Sequence, residues 1–286
     1  MKRMTGTIVG LGLALVTTVG SVLAAPGFGN DAFARVWNRQ DKGVAEQVTG
    51  RSWTWGPGPR SELMREQYNE GVEEQRAVQY FDKSRMEIND PTADPNNQWY
   101  VTNGLLPLEM ITGHMQLGNN TFEFHGPARV SAIGDPDTFP TYADLLPVYQ
   151  PVGVAGPNPG DIGRPATGFL NPDGRVTGFN DYASDPGTVL NDQGVAKVFV
   201  DFMNQRGLVY ENGRYVQGQV FDPLFVFGKP ITGAYWVKTK VGGKELPILF
   251  QVFERRVLTY NPANPDAFKV EMGNVGQHYF QWRYGK

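Results

Sequence analysis

The sequence predicts a β-rich α+β fold in which one hairpin-plus-helix module occurs twice. Two stretches carry this prediction: residues 248–284, which have the densest apolar–polar alternation of the chain, and a weaker copy at residues 78–106. A third observation is the content of 35 glycines and 21 prolines in 286 residues, which predicts many turns and short elements. Aromatic residues make up 12% of the chain, and this indicates folding because disordered segments are poor in them.

The two stretches align without gaps over their first half. Both contain the order glutamine, any residue, phenylalanine, acid, base, followed by a proline-rich turn, a short strand and an apolar helical run. The matched pairs are Gln79 with Gln251, Phe81 with Phe253, Asp82 with Glu254, and Lys83 with Arg255. Hairpins of this type are common, so chance similarity is the alternative to duplication. Duplication predicts one backbone path for both stretches.

Residues 1–24 are typical of an export signal. A basic start precedes an uncharged apolar run over residues 8–23, and Val22-Leu23-Ala24 fits the small-residue rule for cleavage. We therefore expect a mature chain that begins at Ala25 and is secreted or held at the cell surface, with no membrane span after cleavage. Because the chain has no cysteine, disulfides, thiol chemistry and a lipoprotein anchor are excluded.

The mature chain divides into three predicted regions. Residues 27–125 form the first hairpin module, residues 126–207 form a Gly/Pro-rich, loop-rich insert with one helix, and residues 208–286 form the second hairpin module. In the first region, AFARVWNRQ after a cap at Asn30 or Asp31 predicts a helix. The segment SELMREQYNEG predicts a short helix or turn before the copied hairpin.

The insert ends in the clearest helical pattern of the chain. We expect this helix to begin after a cap at Asn191 or Asp192 and to end at Gly207, with an apolar stripe on one face. Dipeptides that favour left-handed backbone predict hairpins. The predicted turns lie at Gly118-Asn119-Asn120, Asn212-Gly213 and Gly242-Gly243.

Several segments resemble a family of secreted, largely uncharacterised bacterial proteins. They are FARVWNRQD, RSWTWGP, VQYFDKSRMEI and FERRVLTYNP…VEMGNVGQHYFQWRY, and the resemblance covers nearly all of the mature chain. A weaker similarity, over short segments, is to the LGFP-type repeat of bacterial cell-wall proteins, in which a Gly-x-Pro turn precedes a Gln-x-Phe-Glu strand. Here Gly228 and Pro230 precede Gln251, Phe253 and Glu254. The first resemblance implies no activity, and the second implies surface binding or anchoring.

Motifs of catalysis and metal binding are missing from the sequence. The three histidines, His114, His125 and His278, have no zinc-site spacing, and no GxSxG elbow occurs. The glycine-rich GVAGPNPGDIG lacks the Lys-Ser/Thr of a phosphate loop, and the acidic turns do not match the EF-hand order. We therefore expect no cofactor and no metal, with calcium at the acidic turns of Asp90 and Asp94 or of Asp135 and Asp137 as the alternative to ordinary turn chemistry. A formal net charge of −3 argues against a nucleic-acid partner.

Carboxylates keep a hydrolase open as the alternative. A glycoside hydrolase needs only two acids at the right separation, which a sequence does not reveal. Asp82 and Glu254 recur beside Lys83 and Arg255, which favours structural ion pairs over a catalytic pair for them. The candidate acids are Glu87, Glu109, Asp135, Glu254 and Glu271.

Aromatic residues supply the positive functional signal, because flat aromatic faces stack on sugar rings. The predicted ligand-binding residues are Trp53, Trp55, Arg51, Tyr235 and Trp236. Trp53 and Trp55 are the best candidates for exposure, and core packing is the alternative for these rings. The sequence thus predicts a secreted, non-catalytic module that binds cell-wall or extracellular polysaccharide, or another envelope component, with a secreted glycan hydrolase as the alternative.

Overall fold

A computed structural model describes residues 26–152 and 160–285 of the chain. Strands hold 30% and helices 23% of it, in several sheets, which confirms the predicted β-rich α+β class. The predicted export signal lies outside the described residues. Among the described residues, no helix is both long enough and apolar enough to span a membrane.

The helices and strands are short and alternate along the chain. The helices are α1 (Asp31–Ala45), α2 (Leu106–Thr112), α3 (Lys197–Met203), α4 (Pro223–Val226) and α5 (Val275–Tyr284). The strands are β1 (Met64–Gln67), β2 (Gln75–Tyr80), β3 (Arg85–Ile88), β4 (Thr102–Asn103), β5 (His114–Gln116), β6 (Phe122–Phe124), β7 (Gly168–Leu170), β8 (Val176–Gly178), β9 (Arg206–Glu211), β10 (Arg214–Gln219), β11 (Tyr235–Val241), β12 (Lys244–Val252), β13 (Val257–Tyr260) and β14 (Val270–Met272).

Two main sheets organise these strands. One has the order β1-β2-β3-β4, and the other has the order β14-β13-β12-β11-β7-β8. The insert therefore contributes β7 and β8 to the second sheet, where β7 pairs in parallel with β11 at Phe169 and Trp236. The pairs β5-β6 and β9-β10 form two separate ribbons.

The predicted hairpin turns and the first helix cap are confirmed. Asn212 and Gly213 both have positive φ between β9 and β10, as do Gly242 and Gly243 between β11 and β12. Such turns match the twist of the flanking strands. The side chain of Asn30 accepts the main-chain N–H of Ala32 and so caps α1.

Two local predictions are wrong. The helix or turn predicted for residues 61–71 is strand β1 followed by a turn, because pairing with β2 overrides the local preference. Helix α3 is shorter than expected at both ends. It begins only at Lys197, because Asn191 forms a turn instead of a cap, and it ends at Met203, since Gly207 already belongs to strand β9. The Oδ1 of Asn191 accepts the N–H groups of Gln193 and Val195 at 2.9 and 2.8 Å. The intervening chain is thereby held outside the helix.

The two stretches matched in the sequence have the same hydrogen-bonding register. We call β2, β3 and β4 the first hairpin, and β12, β13 and β14 the second hairpin. In each, the matched glutamine lies opposite an apolar residue, and the phenylalanine N–H closes the turn at 2.8 Å. The corresponding pairs are Gln79–Met86 and Gln251–Leu258 across the strands, and Phe81–Ser84 and Phe253–Arg256 across the turns.

The matched glutamines are buried and make the same kind of contact. Each side-chain amide donates to two main-chain carbonyls: Gln79 to those of Gly27 and Ser61, and Gln251 to those of Gly194 and Thr232. The hydroxyls of Ser61 and Thr232 in turn accept a strand N–H, at 3.0 and 2.9 Å. Each glutamine therefore fastens its hairpin to a preceding loop.

A glycine lies under the acid of each turn. Gly56 and Gly228 have positive φ, and a Cβ there would lie 3.0 and 2.9 Å from the Cβ atoms of Asp82 and Glu254. Glycine is required at both positions by the backbone conformation and by the close approach.

The two hairpins pack against each other through reciprocal contacts. Lys83 in the first turn donates to the carbonyl of Met272 in the second hairpin at 2.7 Å. Arg255, its match, donates to the carbonyl of Asn103 in the first hairpin. One buried core combines residues of both hairpins and of the insert. A hairpin that is marginal alone is thereby buried on one side.

Candidate functional site

A buried ion cluster joins the sheet of the first hairpin, including its edge strand β1, to helices α2 and α5. Its members are Glu66, Arg76, Arg85, Glu87, Glu109 and Arg283. Arg85 is central, with guanidinium nitrogens 3.1 Å from a Glu66 oxygen and 2.6 Å from a Glu87 oxygen. Burial raises the pKa of Glu66, but the charges of Arg85, Arg283 and Arg76 outweigh that effect and lower it to about 2. The cluster thus holds its charges by mutual pairing.

Glu87 and Glu109, two of the candidate acids, belong to this cluster. They are 4% and 2% exposed, so they present almost no surface to a polysaccharide. Burial raises the pKa of Glu109, whose Oε2 accepts hydrogen bonds from the Tyr279 hydroxyl and the Gln116 N–H. Both acids are therefore structural.

The other candidate acids lie elsewhere. Glu254 accepts the N–H of Lys229 at 2.7 Å and stabilises the second turn. Asp135 accepts the N–H groups of Gly242 and Gly243 at 2.9 and 2.7 Å, and these hydrogen bonds lower its pKa. A glycosidase needs one carboxyl group that stays protonated near neutral pH, so Asp135 does not fit that role.

Asp135 and Glu271 line one cavity of about 270 Å³, together with Lys83 and His278. Burial, and then the charge of Lys83, lower the pKa of His278 to about 4, so its imidazole is neutral. Its Nδ1 lies 3.0 Å from the hydroxyl of Tyr142. This cavity brings two candidate acids together and is where the hydrolase alternative would have to operate.

Trp55 and Trp236 are completely buried, so the expectation that Trp55 is exposed is wrong. The indole N–H of Trp55 donates to Gln40 Oε1 at 2.6 Å, and that of Trp236 donates to the carbonyl of Ala166 at 2.8 Å. Both large apolar rings enter the core because their single polar groups are satisfied there. Neither ring has a face free for a sugar.

The remaining predicted ligand-binding residues are at least partly accessible. Trp53 is half-buried and stacks on Trp37, with ring centroids 6.4 Å apart. Arg51 is also half-buried, but it donates to the carbonyls of Leu208 and Gln40 and so ties α1 to β9. Tyr235 is half-buried in the wall of a groove. None of the other four predicted residues lines the groove that contains Tyr235.

The Tyr235 groove has a volume of about 490 Å³ and lies along β7, β8 and β11. Glycines form much of its wall: Gly168, Gly178, Gly194 and Gly233. A Cβ on Gly168 or Gly233 would lie 2.9 Å from the tyrosine side chain, so the ring packs directly on the backbone. This packing sets the position of the ring before any ligand arrives.

Free polar side chains converge on the Tyr235 groove. The amides of Gln150 and Gln193, the carboxylate of Asp161 and the hydroxyl of Tyr235 line it. None of these four groups has a hydrogen-bond partner among the described residues. Burial, and then the charge of Asp161, raise the pKa of Tyr235, so its hydroxyl remains a donor. The lining residues include one carboxylate and no lysine or arginine. Such a surface suits a neutral, hydroxyl-rich ligand.

Gln150, Asp161 and Gln193 were not predicted from the sequence. They lie in loops of the insert, far apart along the chain, and only the attachment of β7 to β11 brings this region beside Tyr235. The one local signal was the concentration of glycine around them, which indicates close backbone approach.

Comparison with known proteins yields no match: neither a family model, nor a curated protein, nor a solved structure is significantly similar to this chain. Within residues 26–152 and 160–285, no group of three or more His, Cys, Asp or Glu side chains is placed to hold a metal ion.

Proposed function

We propose that this protein is a secreted, non-catalytic module that binds a neutral stretch of cell-wall polysaccharide in the Tyr235 groove. The observation that carries this proposal is a set of four polar side chains, on Gln150, Asp161, Gln193 and Tyr235, that have no hydrogen-bond partner among the described residues. The described residues that line their groove include no lysine or arginine. Sugar hydroxyls both donate and accept, so amide, carboxylate and phenol groups complement them.

The groove chemistry favours binding over hydrolysis. Cleavage of a glycosidic bond by the usual route requires two carboxyl groups on either side of it. The lining of the Tyr235 groove contains one, Asp161. The hydrolase alternative therefore rests on the separate cavity of Asp135 and Glu271, where the pKa of Asp135 is lowered.

We further propose that the two hairpins are copies of one module. Support comes from the matched glutamine contacts, the glycine under each turn acid, and the reciprocal contacts of Lys83 and Arg255. The packed hairpins form the scaffold on which the insert builds the groove. The second hairpin carries the groove because β11, its neighbour, supplies Tyr235.

A pull-down on insoluble bacterial cell wall tests the binding site. With the mature chain, we expect Gln193→Ala and Tyr235→Ala to weaken retention about fivefold or more, since lost polar and aromatic contacts at a binding site typically cost about 1 kcal/mol or more. The matched control is Asp192→Ala, an exposed neighbour of Gln193 outside the groove. Thermal unfolding of each variant verifies the fold. Equal retention of all variants would contradict the assignment.

A glycan-release assay on the same samples separates binding from hydrolysis. We expect the wild-type chain to release no sugar. Release that disappears in Asp135→Asn or Glu271→Gln, but persists in Gln193→Ala, would assign the protein to the hydrolases. Asp135→Asn keeps one of the two side-chain oxygens that accept the N–H groups of Gly242 and Gly243, so thermal unfolding of this variant is measured beside the assay.

Secretion is tested separately. N-terminal sequencing of protein from the culture medium or envelope is expected to give Ala25 as the first residue. An intact Met1 on the exported protein would contradict this prediction.

A further inference from the structure

Trp99 is the most exposed of the six tryptophans, at 39%. It lies in the loop between β3 and β4, and its indole N–H has no hydrogen-bond partner among the described residues. An exposed indole offers a flat face for stacking and a free N–H donor, both of which a ligand can use.

Trp99 forms one side of a groove of about 440 Å³ between α1, this loop and α4. Phe225 of α4 supports the indole, with ring centroids 6.3 Å apart and planes tilted by 57°. The side-chain amides of Gln98 and Gln219 also line the groove, and both residues are exposed. Neither amide has a partner among the described residues. We call this the Trp99 groove.

The charges of the Trp99 groove are already paired or used in the fold. Arg39 donates to Glu211 at 2.8 Å and to the carbonyls of Val220 and Gln219. Asp222 caps α4 by accepting the N–H of Leu224 at 3.0 Å. The groups left for a ligand are therefore an indole and two amides, which have no net charge.

The loop holds Trp99 in place without a ligand. Side chains at Asp90, Asp94 and Asn97 each accept the N–H two residues ahead, at 2.8, 2.9 and 2.8 Å. The last of these hydrogen bonds comes from Trp99 itself. Arg35 of α1 donates to the carbonyl of Pro95 at 3.1 Å and ties the loop to the helix. A binding surface ordered in advance loses less entropy when the ligand arrives.

We infer that the Trp99 groove is a second saccharide subsite, in which a neutral pyranose ring stacks on the Trp99 indole. The amides of Gln98 and Gln219 hydrogen-bond its hydroxyls. This inference rests on the proposed function and extends it to two sites on one chain. The second site adds avidity on an insoluble polysaccharide, because the second contact is intramolecular once the first is made.

Titration calorimetry with neutral oligosaccharides released from the cell wall tests the inference, using the mature chain. We expect two saccharides per wild-type chain and one in Trp99→Ala, which retains the Tyr235 groove. The Gln98→Ala and Gln219→Ala variants are expected to weaken the second site about fivefold. Leu224→Ala is the matched control, because Leu224 is 50% exposed beside the groove but does not line it. Tryptophan fluorescence is expected to change on binding in wild type and not in Trp99→Phe.

The outcomes distinguish the two proposals. One saccharide per chain, lost in Tyr235→Ala and kept in Trp99→Ala, would overturn the second subsite and leave the proposed function standing. One saccharide lost only in Trp99→Ala would support the Trp99 subsite and overturn the assignment to the Tyr235 groove. Absence of saccharide binding by the folded wild-type chain would overturn both proposals.

Discussion

The two hairpins have one backbone register but differ in charge at one set of buried positions. Positions in the two sheets can be matched by aligning Gln79 with Gln251 along the strands and then following the strand pairing. Four charged residues in the sheet of the first hairpin correspond in this way to uncharged residues in the sheet of the second. The pairs are Glu66 with Val237, Arg76 with Ile248, Arg85 with Val257, and Glu87 with Thr259. The path of the chain therefore depends on the glutamine contacts and the turn, and it tolerates either an ionic or an apolar interior.

The ionic interior is the more fragile one. A buried charge is costly unless its partners are present, whereas an apolar side chain can lose a neighbour at the cost of a cavity.

The largest effect is expected for Arg85→Val, which places the second hairpin's residue in the first. Because Arg85 pairs with Glu66 and Glu87 at full burial, its loss leaves buried carboxylates unpaired and lowers the free energy of unfolding by about 3–5 kcal/mol. Urea unfolding measures this loss of stability. The combined variant Glu66→Val, Arg76→Ile, Arg85→Val and Glu87→Thr is expected to recover part of this loss. A single variant as stable as wild type would refute the ionic account.

Acid sensitivity is expected to reside in the first hairpin. The pKa of Glu66 is about 2 in the folded protein against 4.5 ordinarily, so its stabilising contribution is present above pH 4.5 and is lost as the pH falls towards 2. The shift corresponds to roughly 3 kcal/mol. The free energy of unfolding, measured from pH 6 to pH 2, should fall less steeply in Glu66→Gln than in wild type. Parallel pH profiles of the two proteins would contradict this prediction.

The turn glycines should behave alike, since both hairpins use them in the same way. Gly56→Ala and Gly228→Ala each force a Cβ against the turn acid at positive φ, and we expect each to cost about 2 kcal/mol in unfolding free energy. Gly178→Ala is the control, because a Cβ there meets nothing within 4 Å. A large difference between the two turn variants would show that the turns are not equivalent.

The smallest effect separates the matched glutamines. Gln79 Oε1 accepts the N–H of Gly29 at 3.2 Å, whereas Gln251 Oε1 is buried without a partner among the described residues. Gln79→Leu therefore loses one more hydrogen bond than Gln251→Leu, and we expect it to be more destabilising by about 1 kcal/mol. Thermal and urea unfolding measure the stability of both variants. A Gln251→Leu variant less stable than Gln79→Leu would contradict this prediction.

Local chemistry explains what could be predicted from the sequence. The Asn30 cap and the turns at Asn212-Gly213 and Gly242-Gly243 follow from side chains and φ angles within a few residues. The matched order Gln-x-Phe-acid-base predicted equivalent backbone positions, and the two hairpins have the same register. Duplication as the origin of that likeness is our proposal.

Tertiary structure decided the features that depend on distant partners. Strand β1 exists because β2 pairs with it, and Trp55 is buried because Gln40 satisfies its indole. The Tyr235 groove needs Gln150 and Gln193 from separate loops of the insert. Burial and convergence arise from contacts between residues far apart in the chain, so no local pattern encodes them. The sequence by itself thus determined the class of fold, the turns and the repeated register, and the packing of the insert on the second hairpin decided where a ligand can bind.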